Sequence, residues 1–454
     1  MAKVKIGYFC QNCGAQHSQW MGQCTSCGEW NTLAEERVEK GEKPALWGAA
    51  PDRKPRNALQ LDAINPEAQP RLRTPDGEFN RVLGGGITAG SVNLLGGEPG
   101  IGKSTLLLQL ALQLVPHKIL YVSGEESPLQ IKRRSARLPF ENPNVFLLNE
   151  TQTQGVFRQL TRVRPDLLII DSIQTLQTDR VAASPGTVSQ IRASTAELVE
   201  FSKESNTPVV LIGHITKSGQ LAGPKVLEHL VDTVLQFEGD PNHTHRILRV
   251  LKNRFGSTAA LGIYEMCENG LREVANPSEI LITKREARLS GNSIAGTLAG
   301  MRPLLVEIQA LVSSAVYGTP QRSTTGYDTK RLHMLLAVLE KRAGFELSTK
   351  DVFLNVTGGI RLADPALDLA VISAILSSDA DIPIAENYCF AGEVGLSGEI
   401  RAVRRVEPRI SEAEKLGFEK VFLSQYNRLT QQPKGIELVR VSTVADLCKA
   451  LFQF

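Results

Sequence analysis

Gly97-Glu98-Pro99-Gly100-Ile101-Gly102-Lys103-Ser104, with Thr105 behind it, satisfies G-x-x-x-x-G-K-[ST] at every position. The preceding SVNLLG (91–96) reads as a short buried strand, and STLLLQLALQL from Ser104 onward reads as a helix. A phosphate cradle needs that order of strand, glycine loop and helix start. Glycines let main-chain N–H groups turn inward on a polyphosphate, and the first helical turn adds unpaired donors and its positive dipole end. Residues Gly97, Glu98, Pro99, Gly100, Ile101 and Gly102 are therefore read as the wall of a nucleoside triphosphate site, with ATP as its ligand. Lys103 is placed to reach the β/γ-phosphates, and Ser104, with Thr105 beside it, to hold Mg²⁺. The plain alternative is a glycine turn that merely precedes a helix.

The chain has 454 residues, enough for two or three domains. Its net charge of +3, with 42% hydrophobic and 22% charged residues, leaves partners undecided. A basic nucleic-acid face can be offset by acid elsewhere. No apolar run approaches the length of a membrane span. The opening MAKVKIGYFC lacks the apolar stretch of a secretory signal. ATP chemistry and free thiols point to the cytoplasm.

Four of the seven cysteines form two C-x-x-C pairs, Cys10/Cys13 and Cys24/Cys27, each followed by glycine. The spacing predicts a closed tetrahedral Zn²⁺ site with four thiolates, whose metal supplies the folding energy that so short a segment lacks. Disulfides fit a reducing compartment poorly, and a redox C-x-x-C normally comes once on a βαβ unit. Trp20 and Trp30 are expected to pack around the knuckles, with base stacking the secondary reading. Cys267, Cys389 and Cys448 read as small buried hydrophobes. A module over residues 1–30 is followed by a polar, proline-punctuated tether over 31–64.

Residues 65–277 alternate between strand and helix patterns, as in a mainly parallel sheet. Ligands in such sheets gather at strand C-terminal ends. Asp171 closes the run Leu167-Leu168-Ile169-Ile170 and is the candidate Mg²⁺-holding carboxylate. Glu125 and Glu126 follow another strand; one of them is a candidate general base, or both are acids at a helix start. His214 ends a third strand as a candidate γ-phosphate sensor. The polar loops 178–187, with Arg180, and 217–224, with Lys217, suit backbone contact with a single strand as well as they suit solvated connection. In Lys252-Asn253-Arg254-Phe255-Gly256, Lys252 and Arg254 share a strand face and are expected to project as a paired cation, an arginine-finger arrangement.

The four-cysteine start, GEPGIGKST, LLIID, GHITK and KNRFG occur here in the order found in the RadA (Sms) family of bacterial recombination and repair ATPases, which the whole chain resembles. The resemblance implies an α/β RecA-like P-loop ATPase core between the zinc module and a C-terminal α+β domain. It also implies Glu125 as the catalytic glutamate, with Lys252 and Arg254 acting in trans in a homohexamer. Implied partners are single-stranded and branched DNA and the RecA recombinase. The implied activity is a helicase-like, DNA-dependent ATPase that drives branch migration and heteroduplex extension of RecA-initiated strand exchange.

Residues 278–454 are similar to the proteolytic domain of Lon, through RPLLVEIQ (302–309), NVTGG (355–359), DPALDLA (364–370) and GEVGLSGEIR (392–401). Lon uses a Ser-Lys pair; here the corresponding positions carry Ala366 and, nearby, Glu407, so no peptidase activity is expected. Arg401, Arg404, Arg405 and Arg409, with Lys330, Arg331, Lys341 and Arg342, form either a duplex-binding face or salt bridges to Glu393, Glu399 and Glu412. Competing functions are a zinc-regulated ATP-dependent peptidase and a nucleotide-gated hexameric assembly ATPase.

Overall fold

The computed structural model describes residues 4–10, 15–39, 58, 60–63, 70–214, 224–239, 245–274, 276–283, 289–315, 319–360 and 362–452. It divides into two compact units, Met1–Val274 and Ala275–Phe454.

A nine-stranded sheet forms the centre of the first unit. From one edge its order is Gly270–Glu273, Leu261–Cys267, His245–Asn253, Thr233–Glu238, Val92–Gly97, Val209–His214, Leu167–Asp171, Ile119–Ser123 and Val145–Asn149. The strands from Thr233–Glu238 to Val145–Asn149 run parallel, and the remaining three continue the sheet antiparallel. Val92–Gly97, Ile119–Ser123 and Leu167–Asp171 are buried along their whole length, so they read as near-continuous apolar runs, with Asn93 the exception in the first. One apolar core holds Leu106, Leu107, Leu110 and Tyr121, and a second holds Leu94, Val122, Leu198 and Phe201. Successive residues of one strand, such as Tyr121 and Val122, fall in different cores, as two covered sheet faces require.

Two strands of this sheet carry weak signals. Val145–Asn149 lies at the edge, where its residues are half-buried or exposed, and Gly270–Glu273 is only four residues long. Neither presents the apolar run that marks the central strands.

The N-terminal module is larger than its cysteine spacing suggests. Leu33–Glu39 pairs with Val4–Cys10 in full antiparallel register, from Val4 opposite Glu39 to Cys10 opposite Leu33. A charged run expected to begin the tether is thus a strand, held by ladder hydrogen bonds, with Leu33 at its start buried against Cys10 and Cys24.

A seven-stranded mixed sheet organises the second unit. Asn292–Ala299 and Arg302–Ser314 form its long central hairpin. Against it lies the helix Asp368–Ala380, buried on every side from Asp368 to Ser377. Its run of apolar residues, broken only by Ser373 between Leu369 and Leu376, follows from that position.

Candidate functional site

Strand order brings the candidate residues together. Gly97 lies opposite His214, Leu211 opposite Ile170, and Asp171 opposite Ser123. The C-terminal ends of these four strands therefore lie side by side, and the loop 97–102, Asp171, Glu125 and His214 rise from one edge.

The loop feeds the helix Lys103–Gln113 through Gly102, whose φ of 114° is open to glycine alone. Gly97 is required for a different reason: a Cβ there would lie 2.6 Å from the carbonyl oxygen of Phe237 on the next strand. Lys103 is buried, and its Nζ donates to the carbonyls of Gly97 and Glu98, each at 2.8 Å. Burial lowers its pKa to about 8, against the opposing pull of Asp171, Glu125 and Glu98.

Asp171 is buried, and its Oδ2 accepts a 2.6 Å hydrogen bond from the Tyr121 hydroxyl. Burial, then the neighbouring carboxylate, push the Tyr121 phenol well above its ordinary value, so it stays a donor. Arg134 lies 4.0 Å from the same oxygen. A carboxylate facing an ammonium, glycine-loop amides and the start of a helix form a donor set that fits a magnesium-bound triphosphate.

The two adjacent glutamates, equivalent in sequence, are distinguished here. Glu126 pairs with Arg134 at 2.8 Å, which ties it to the helix Pro128–Ser135. Glu125 accepts a 2.6 Å bond from the Ser172 hydroxyl and lies 3.2 Å from His214 Nε2. The His214 bond, then that of Ser172 and the charge on Lys103, hold its pKa down to about 2 against desolvation. His214, read as a phosphate sensor, is thus placed against the candidate base.

The Lys252/Arg254 pair departs from its expected form. His245–Asn253 ends before Arg254, and a bulge opposite Val234/Leu235 disturbs the alternation. Lys252 turns inward: its Nζ donates to the carbonyls of Glu228 and Val231, at the end of the helix Pro224–Leu230. Burial and then the Arg254 charge lower its pKa. Arg254 is 51% exposed and donates to Asp232 Oδ1 at 3.1 Å. The other oxygen of Asp232 accepts from the Val92 amide. Arg254 is therefore anchored beside the first residue of the P-loop strand, about 16 Å of strand from Gly97. Arg180, offered as a nucleic-acid contact, instead pairs with buried Glu197 at 2.7 Å. Lys217 and the rest of 215–223 lie outside the described residues.

In the N-terminal module, Cys10, Cys24 and Cys27 bring their sulfurs within 4.8 Å of one another. Cys13 lies outside the described residues. Three convergent thiols, one from the end of the strand Val4–Cys10 and two from the tight turn closed by Gly28 at φ 75°, fit a zinc ribbon. His17 Nε2 lies 3.4 Å from Cys24 Sγ, a neighbour that cysteine spacing alone does not reveal. The tryptophans are largely exposed, Trp20 at 57% and Trp30 at 66%, and of the two Trp30 lays its ring against Gly22, beside the second cysteine pair.

In the second unit Ala366 is buried, and Glu407 is exposed, accepting from the amides of Thr430 and Gln431. Two of the basic residues are committed to internal acids. Arg409 is buried and bridges Asp364 at 2.6 Å and the Gly296 carbonyl at 2.8 Å, while Arg331 pairs with buried Asp368. Arg401 pairs with Glu399 at 2.6 Å. Lys330, Lys341, Arg342, Arg404 and Arg405 remain exposed.

Three family models match this chain: AAA domain over residues 61–220, Subunit ChlI of Mg-chelatase over 308–427, and Rubredoxin metal binding domain over 8–35. Fold and site together define a RecA-like P-loop ATPase flanked by a zinc ribbon and a ChlI/Lon-like domain. Among curated relatives, DNA repair protein RadA of Bacillus subtilis is 47% identical, over 98% of both chains. Its namesake in Streptococcus pyogenes serotype M6 is 46% identical over 100% of both chains, and that in Listeria monocytogenes 44% identical over 99% of both. The chain belongs to the RadA family of DNA repair proteins.

Proposed function

We propose that this chain is a DNA-dependent ATPase, working as a homohexameric motor on recombination intermediates in the cytoplasm. The carrying observation is the convergence of Lys103, Asp171 and Glu125 at adjacent strand ends, while Arg254 sits at the far end of the P-loop strand. Mg²⁺, held by Ser104 and Asp171, would supply charge neutralisation to the triphosphate. Lys103 exchanges its loop carbonyls for phosphate oxygens. Glu125 orients and deprotonates the attacking water once His214 and Ser172 release it, because a carboxylate held near pKa 2 is a weak base. An arginine side chain cannot span the distance back to its own loop, so Arg254 acts on the nucleotide of a neighbour, with Lys252 bracing the turn behind it.

The polynucleotide is single-stranded or branched DNA, and the reaction is branch migration and heteroduplex extension of strand exchange begun by RecA. The zinc ribbon and the exposed cations of the second unit are candidate contacts. Peptidase action is disfavoured by Ala366, which has no nucleophile. A nucleotide-gated assembly ATPase would share the fold, but its turnover would ignore DNA.

The deciding experiment measures ATP turnover with and without single-stranded DNA, alongside the mass of the assembly. Stimulated turnover by a hexamer is expected, and Lys103→Ala should abolish it. A strictly monomeric protein whose turnover is indifferent to oligonucleotides would overturn the reading.

A further inference from the structure

Tyr121 has no place in the chemistry described so far, yet it is the closest polar neighbour of the acid proposed to hold Mg²⁺. Its ring is fully buried in the core under the P-loop helix, and its hydroxyl donates to Asp171 Oδ2 at 2.6 Å. It reaches Asp171 from the neighbouring strand, since Tyr121 lies opposite Ile169 and Ser123 opposite Asp171. One carboxylate oxygen is thus fixed from behind, which leaves the other as the face available to a cation or its water. Arg134, at 4.0 Å from Oδ2, backs the same oxygen while gripping Glu126. An apolar residue would fill this core position as well, so packing alone does not explain the hydroxyl.

We propose that Tyr121 is a positioning residue for magnesium: its hydroxyl fixes the rotamer of Asp171 so that a single oxygen is presented to the Mg²⁺–nucleotide. The inference rests on the proposed role of Asp171. Partners that orient metal-binding carboxylates typically change metal affinity by about 10- to 100-fold when removed.

The test is Tyr121→Phe in the full-length protein, which keeps the ring and deletes the donor. The readout is binding of a fluorescent ATP analogue titrated with Mg²⁺. Half-saturating Mg²⁺ should rise about tenfold, while nucleotide binding in EDTA stays unchanged. In an Asp171→Asn background the same substitution should add nothing, because its effect runs through that carboxylate. A half-saturation within twofold of wild type, or an equal effect in the Asp171→Asn background, would overturn the proposal. If Tyr121→Phe melts far below wild type, Tyr121→Met at the same position reports the loss of the hydroxyl in an apolar side chain of different shape, judged by the same Mg²⁺ titration. A wild-type protein that shows no Mg²⁺ dependence at all would instead remove the reading of Asp171 on which this depends.

Discussion

Glu125 and Glu126 show what one residue's neighbours decide. Their sequence context is the same, but one faces Lys103, Ser172 and His214 and the other is clamped by Arg134. Glu125→Gln should therefore lower turnover by about 10²-fold or more while nucleotide binding persists. Glu126→Gln should retain most of the turnover, as steady-state assays of the two variants would reveal. Asp76 gives a separate prediction. It caps the helix Gly77–Leu83 through the Phe79 amide and accepts from the Tyr264 hydroxyl, and burial raises its pKa to about 6. Because this folded value lies above that of an unfolded aspartate, the cost of ionisation is complete above about pH 6 and is relieved as pH falls from about 6 towards 3.8. Asp76→Asn keeps the cap and removes the charge, so thermal unfolding should show a gain of order 2 kcal/mol near neutral pH that shrinks as pH falls from about 6 towards about 4. The residues that pair in the site were not paired by sequence. Glu125 meets Ser172 and His214 only because three strands distant in the chain are neighbours in the sheet.

At the scale of elements, legibility followed burial. Ile119–Ser123 and Leu167–Asp171 declared themselves as apolar runs closed by a polar residue. Leu33–Glu39 did not, since its stability comes from pairing with Val4–Cys10, which no local pattern records. The Lys252–Arg254 segment was half legible: spacing indicated two cations on one face, but the bulge and the helix end at Val231 turn one inward. The prediction that belongs here concerns that turn. Arg254→Ala should preserve nucleotide binding and lose DNA-stimulated turnover, and mixed with wild type it should depress activity more steeply than its share of the subunits. Activity that falls in simple proportion would count against action between protomers. Lys252→Ala removes the cation that answers the carbonyls of Glu228 and Val231, so its defect should include a lower melting temperature as well as lower turnover.

For the molecule as a whole, the metal and the motor should come apart. With Cys13 as the fourth thiolate the sequence predicts, the ribbon would draw its folding energy from zinc, whereas the nine-stranded sheet has two apolar cores of its own. Strong chelators should release about one zinc per chain and raise amide exchange in residues 4–39, with the exchange of the central strands unchanged. Protein purified without zinc would contradict the site. Asp232 joins two further parts of the molecule. One oxygen holds the amide that begins the P-loop strand, and the other holds Arg254. Each protomer would thus receive its fuel at one end of a strand and reach out from the other. Contacts built this way join head to tail. If Arg254 acts on a neighbour as proposed, such a ring would have a handedness of traffic: firing would pass in one rotational sense, and reversing it would need a different molecule, not a different ligand.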